Sequence, residues 1–264
     1  MIFESHAHYD DEAFDEDRDA LLRSFAENGI DMVINIGASL ESCRRTLALV
    51  EKYSFFYGAI GVHPSETGEL TETDLLWLKE RCALEKVVAV GEIGLDYYWK
   101  EPEPSVQKRW FEKQLEMAKE VKLPVVIHSR DAARDTLDIM KSSHAETTGG
   151  VVHCFSYTKE MAREYLEMDY YFGIGGVITF KNAKKLKEAV QYIPMDRILL
   201  ETDSPYLSPE PHRGERNSSL NLPYVAEAIS ELKGISYEEV VESTERNARR
   251  LFGLENREEK TIHG

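Results

Sequence analysis

Eight short apolar runs, each followed by a stretch with helical spacing, recur along this chain, and that beat limits the fold more than any other feature. The first run is Ile2-Phe3, leading into Ser5-His6-Ala7-His8. Residues 15–28 then carry Ala20, Leu21, Leu22 and Phe25 at helical spacing, with Gly29 as a stop. The later strands read as 31–36, 55–60, 87–90, 125–127, 150–152, 170–174 and 197–200, and the helices between them as 39–52, 70–81, 105–121, 132–141, 158–168 and 184–193. The strands are continuous apolar runs instead of alternating ones, as a parallel sheet buried on both faces requires. Eight such units in 264 residues predict an α/β fold, a closed TIM (β/α)8 barrel. The open doubly wound sheet is the competitor, but no glycine-rich phosphate turn follows the first strand. Two further helices, 222–233 and 236–252, are expected to close the barrel. With 42% hydrophobic residues and no linker rich in Pro, Gly or Ser, residues 1–264 are expected to form one domain.

No run of about 18 apolar residues occurs, and no basic patch precedes an apolar core at the N-terminus. Neither membrane insertion nor secretion is indicated, a cytoplasmic location is expected, and no feature calls for an obligate protein partner. Cys43, Cys82 and Cys154 lack metal-finger spacing and suit a reducing compartment. Cys154 follows His153, and neighbours on a strand face opposite ways, so it is expected to be core filler. The net charge of -16 argues against a nucleic-acid coat protein. It leaves room for an enzyme acting on phosphodiesters, because bound cations and a few local arginines make a cleft attractive to anions.

In such a barrel the chemistry sits at the C-terminal ends of the strands. Those ends carry His6 and His8, His63, Glu92, His128, His153, and Glu201 with Asp203. His6 and His8 stand two apart on a strand and so share a face. Any one of these residues read alone suits a structural role, such as Asp203 forming a turn before Ser204-Pro205. Together, four histidines (His6, His8, His128, His153) and two carboxylates (Glu92, Asp203) on one rim are hard to stabilise unless cations neutralise and bridge them. The mixed nitrogen and oxygen donors suit Zn, Mn, Fe or Ni about as well as Mg. His144, His212 and His263 fall in loops or the tail.

Six blocks in order, Ser5-His6-Ala7-His8, Gly91-Glu92-Ile93-Gly94-Leu95-Asp96-Tyr97-Tyr98, His128-Ser129-Arg130-Asp131-Ala132, His153-Cys154-Phe155-Ser156, Glu201-Thr202-Asp203-Ser204-Pro205-Tyr206-Leu207 and Arg213-Gly214-Glu215-Arg216-Asn217, resemble the TatD family of metal-dependent deoxyribonucleases. The resemblance spans nearly the whole chain, through Asn247-Ala248-Arg249-Arg250-Leu251-Phe252. It implies a barrel of the amidohydrolase type with two divalent ions: His6, His8 and Asp203 holding one, His128 and His153 the other, and Glu92 bridging. Mg2+ or Mn2+ is expected in function, with Zn2+, Ni2+ or Fe2+ as alternatives. The chain departs from the family pattern twice. Glu4 stands where the first block usually opens with Asp, and Asn217-Ser218-Ser219 replaces Asn-Glu-Pro in a loop expected near substrate, which leaves substrate preference open.

The activity the resemblance implies is phosphodiester hydrolysis of single-stranded DNA from 3' ends. A metal-dependent esterase, lactonase or amidase is the alternative, because the same ions polarise a carbonyl. Asp203 is favoured as the group accepting the proton of the attacking water, with Glu201, on the same strand face, as the second candidate or as an orienting group. His63, Arg130 and Arg213 are candidates to hold phosphates. For Arg130 a salt bridge with Asp131 or with a neighbouring helix is the structural alternative. Tyr97, Tyr98 and Trp99 can stack on bases or pack against the next loop.

Overall fold

The apolar runs pair edge to edge in chain order. Residues 1–255 are described by this structure, a computed structural model, so His263 lies outside the described residues. The strands are β1 (Ile2–Ala7), β2 (Ile30–Ile36), β3 (Phe56–Ile60), β4 (Val87–Asp96), β5 (Val125–Arg130), β6 (Gly150–Val152), β7 (Tyr171–Ile174) and β8 (Ile198–Leu200). All are parallel and ordered β1 to β8. Two backbone hydrogen bonds join the last strand to the first: His8 N–H to the Ser204 carbonyl at 2.8 Å and Asp203 N–H to the His6 carbonyl at 2.9 Å. The ring of helices is α1 (Arg18–Arg23), α2 (Leu40–Lys52), α3 (Glu72–Arg81), α4 (Pro104–Val121), α5 (Ala133–Ser142), α6 (Lys159–Glu167), α7 (Lys184–Tyr192), α8 (Leu222–Lys233) and α9 (Tyr237–Leu251). The TIM barrel expected from the sequence is thus the observed fold. Among the described residues no helix is long and apolar enough to cross a membrane.

Every strand contributes to one buried cluster: Phe3, Ile34, Tyr57, Ala89, Val126, Val151, Tyr171 and Leu199. A cluster reached from all eight strands lies inside the barrel. Phe252, just past α9, stacks on Phe3 with ring centroids 6.2 Å apart. Strand residues of the other parity, such as Val33, Val125, Ile127, Val152, Phe172 and Leu200, belong to the cluster shared with the helices. Each full burial of this kind contributes about 1.5–3 kcal/mol.

The inward parity continues upward into polar residues. Val126 leads to His128 and Arg130, Val151 to His153, Leu199 to Glu201 and Asp203, and Tyr57 through Ala59 to His63. The column of side chains that is core at one end becomes a site at the other.

Three local expectations are corrected. The first helix is short, Arg18–Arg23: past it the backbone tightens into i to i+3 bonds, Ser24 N–H to the Leu21 carbonyl at 3.1 Å and Phe25 N–H to the Leu22 carbonyl at 3.3 Å, and Ser24 Oγ adds a bond to the Leu21 carbonyl at 2.7 Å. Strand β4 runs six residues past Val90, to Asp96. Gly94 makes this possible, since a Cβ there would lie 1.9 Å from the His128 carbonyl oxygen of the adjacent β5. Cys154 is only partly buried, at φ 45°, because β6 ends at Val152 and the chain turns there; it is not core filler.

Candidate metal centre

The seam that closes the barrel also assembles the first group of donors. Asp203 is hydrogen-bonded through its backbone to His6, so its carboxylate comes up beside the two β1 imidazoles. His6 Nε2 and His8 Nε2 are 3.2 Å apart, and Asp203 Oδ1 lies 3.6 and 3.3 Å from them. Glu92 Oε2 lies 3.6 Å from His6 Nε2 and 3.7 Å from His8 Nε2. Around one ion with bonds of about 2.0–2.2 Å, neighbouring donors stand about 3–3.6 Å apart. The donor spacing therefore fits a divalent metal.

The other oxygen of Glu92 faces a second group. His128 Nδ1 is 2.6 Å and His153 Nε2 3.0 Å from Glu92 Oε1, with His63 Nε2 at 3.9 Å. One carboxylate thus turns one oxygen to each histidine pair. Burial alone would raise the pKa of Glu92, but the charge and hydrogen bonds of His153 and His128 hold it well below the usual carboxylate range. The centre also draws positive charge onto His8: burial lowers its pKa, yet Asp203 and Glu92 raise it to about 9.

Two of the rings, His8 and His128, are hydrogen-bonded from behind as metal-binding histidines commonly are, while Nδ1 of His6 and of His153 has no hydrogen-bond partner among the described residues. His8 Nδ1 donates to the Ile36 carbonyl at 2.9 Å, which turns its Nε2 toward the centre. His128 Nε2 pairs with Asp96 Oδ2 at 2.9 Å, and His153 Nδ1 lies 3.4 Å from Glu201 Oε1. Glu201, 1% exposed, also accepts the Cys154 N–H at 2.6 Å and lies against Gly173, whose Cβ would overlap its carboxylate. His6 and His153 stack with centroids 3.8 Å apart. Asp96 went unassigned in the sequence reading, as did Asp10, a buried carboxylate in the cleft wall that accepts from Asn35 Nδ2 at 2.8 Å and Ser42 Oγ at 2.6 Å. The signal was present for Asp10: the period of two that selects His6 and His8 continues to it. For Asp96 it was hidden by ending the strand at Val90.

These groups line a cleft of about 840 Å³ that opens beside the exposed residues Trp99, Tyr206 and Leu207. His63 lies within it; burial and the neighbouring His128 push its pKa down to about 3, leaving the ring neutral. Its Nδ1 accepts the Ser65 N–H at 3.1 Å, so its hydrogen sits on Nε2, facing the centre. Arg130 lines the cleft as well; among the described residues it has no ion pair with Asp131 or with a neighbouring helix, and it lies over Tyr98 instead. Arg213 does not join them. It lies outside the cleft lining, over the Phe180 ring at 4.3 Å. The 217–219 segment, expected near substrate, is turned inward, with Asn217 and Ser219 both buried.

Comparison with known proteins identifies the family of the chain. The family model described as TatD related DNase matches residues 3–253. The chain is 45% identical over 254 residues to the uncharacterized metal-dependent hydrolase YabD of Bacillus subtilis (strain 168), covering 96% of this chain and 100% of that protein. The crystal structure of YJJV, a TatD homolog from Escherichia coli K12, superposes with a TM-score of 0.90 at 31% identity over 96% of this chain and 98% of that one. An amidohydrolase from Saccharomyces cerevisiae shares the fold, with a TM-score of 0.83 at 19% identity over 95% and 99% of the two chains. A centre rich in metal donors and a match that runs almost end to end lead to one conclusion: the chain belongs to the TatD-related DNase family and is a metal-dependent hydrolase.

Proposed function

We propose that this protein, acting as a single domain, is a phosphodiesterase that shortens single-stranded DNA from its 3' end. His6, His8 and Asp203 would hold one divalent ion, His128 and His153 the other, and Glu92 both; Mg2+ or Mn2+ suits the role. The observation that carries this reading is Glu92, with Oε2 toward His6 and His8 and Oε1 toward His128 and His153. When bound, such a pair supplies a water acidic enough to act as a nucleophile at neutral pH and neutralises charge on a phosphoryl oxygen. Two further features support a nucleic acid as substrate: the family match to TatD related DNase, and a cleft whose rim stays open to solvent at Trp99 and Tyr206.

The side chains divide the work. Asp203, 18% exposed at its side chain, accepts the proton of the attacking water. Glu201, sealed beneath His153, orients that ring and does not reach the cleft. His63 offers its Nε2–H to a phosphoryl oxygen, and Arg130 offers a planar fork to the phosphate.

Incubating the protein with single-stranded DNA labelled at either end, with Mg2+ or Mn2+ and then with chelator, tests the reading. Metal-dependent release of nucleotides from the 3' end is expected; hydrolysis of small esters with no attack on DNA overturns it. In parallel, Glu92→Ala is expected to lose at least one ion together with activity.

A further inference from the structure

Two arginines line the cleft, and one of them is already neutralised. Arg45 Nε lies 3.4 Å from Glu41 Oε1. Arg130 has no ion pair among the described residues, and its guanidinium carbon sits 3.8 Å from the centroid of the Tyr98 ring. Stacking fixes the plane of a guanidinium while leaving its N–H donors free at the edge. Beside it, Trp99 is 54% exposed, meets Tyr98 edge to face at 5.0 Å and lines the same cleft. The three aromatic residues after Asp96 therefore part company. Tyr97 is partly buried and donates its hydroxyl to Asp135 at 2.7 Å, Tyr98 backs Arg130, and Trp99 presents its ring to solvent. The rest of the rim is acidic, with Asp11, Glu12 and Glu66, Glu41 being paired with Arg45.

We propose that Trp99 and the Tyr98-backed Arg130 form a subsite for one nucleotide of a single strand, the unpaired base stacked on Trp99 and its phosphate held by Arg130. The proposal rests on the nucleic-acid reading given above and deepens it. An indole face takes any unpaired base, whereas a base inside a duplex has no free face to offer. The acidic rim repels phosphates beyond the one that Arg130 accepts, so the cleft favours a strand end over the middle of a polymer.

Fluorescence anisotropy of a 5'-fluorescein, phosphorothioate-linked oligothymidylate, titrated with the metal-loaded protein, tests this without turnover. Trp99→Ala is expected to weaken binding about tenfold or more, the range for one base on one aromatic ring, and Trp99→Phe to restore most of it. Arg130→Gln is expected to reduce the slope of log affinity against log salt by about 0.7, one phosphate contact on a single strand. Duplex of the same length should bind at least about tenfold more weakly than the single strand. Unchanged affinity in Trp99→Ala, or equal affinity for duplex, overturns the subsite while metal-dependent DNA cleavage still stands. If the unmodified protein binds no single strand, both readings fall.

Discussion

Ser219 Oγ donates a hydrogen bond to Glu4 Oε2 at 2.9 Å, joining two positions 215 residues apart. These are the same two places where the chain departs from the TatD pattern, Glu for Asp at the start and Ser for Pro in the late loop. Ser219 also gives its backbone N–H to Tyr9 Oη at 2.8 Å, a bond proline cannot make. Thr202 donates its N–H and its hydroxyl to Glu4, at 3.0 and 2.7 Å, and the His6 N–H reaches Glu4 Oε1 at 3.1 Å. The longer acid and the serine meet in one hydrogen-bonded network behind the metal centre.

Glu4 makes stability pH-dependent. Burial raises its pKa from 4.5 to about 8, against hydrogen bonds from Thr202, His6 and Ser219 that lower it. The folded chain keeps the proton over a range in which the unfolded chain releases it, so the contribution of Glu4 to stability is full below about pH 4.5 and falls as pH rises toward 8, by at most about 1.4 kcal/mol per unit. Glu4→Gln, which cannot ionise, should flatten this dependence. Denaturant melts of both proteins from pH 5 to 8 measure it, and parallel curves would contradict it.

The two departures should be coupled energetically. Ser219→Pro removes a buried donor pair and is expected to cost about 1–3 kcal/mol with Glu4 in place, and less in the Glu4→Asp background. A double-mutant cycle should return a coupling of about 0.5–3 kcal/mol, as for residues in one hydrogen-bond network; additive effects would show the positions to be independent.

Asp96 acts through His128. In the proposed two-ion centre, Asp96→Asn is expected to weaken the ion assigned to His128 about 10- to 100-fold and leave the ion assigned to His6 and His8 in place. Metal titration followed by calorimetry reads this without reference to turnover, and two ions bound at unchanged affinity would remove Asp96 from the design.

Asp203 and Glu201 can be separated by kinetics. At saturating metal, Asp203→Asn should lower kcat by about 10²-fold or more, the loss typical of a missing general base. Glu201→Gln should lower it less and act mainly on metal affinity, through His153. An equal fall in kcat for both would move the base to Glu201.

The strand–helix beat and the parity of two are properties of the sequence alone, because backbone geometry fixes which side chains share a face before any long-range contact forms. That was enough to specify the barrel and to gather His6, His8, His63, His128, His153, Glu201 and Asp203 at one rim, whereas Glu92, expected to end β4, lies within that strand, past a shift in its register. Tertiary structure decided how those ends are used. Barrel closure between β1 and β8 brought Asp203 to His6, and the close approach of β4 to β5 at Gly94 carried Asp96 to His128. It also turned Arg213 onto Phe180 and folded Ser219 inward onto Glu4. Those outcomes depend on distances between residues far apart in the chain, which periodicity along the chain does not contain.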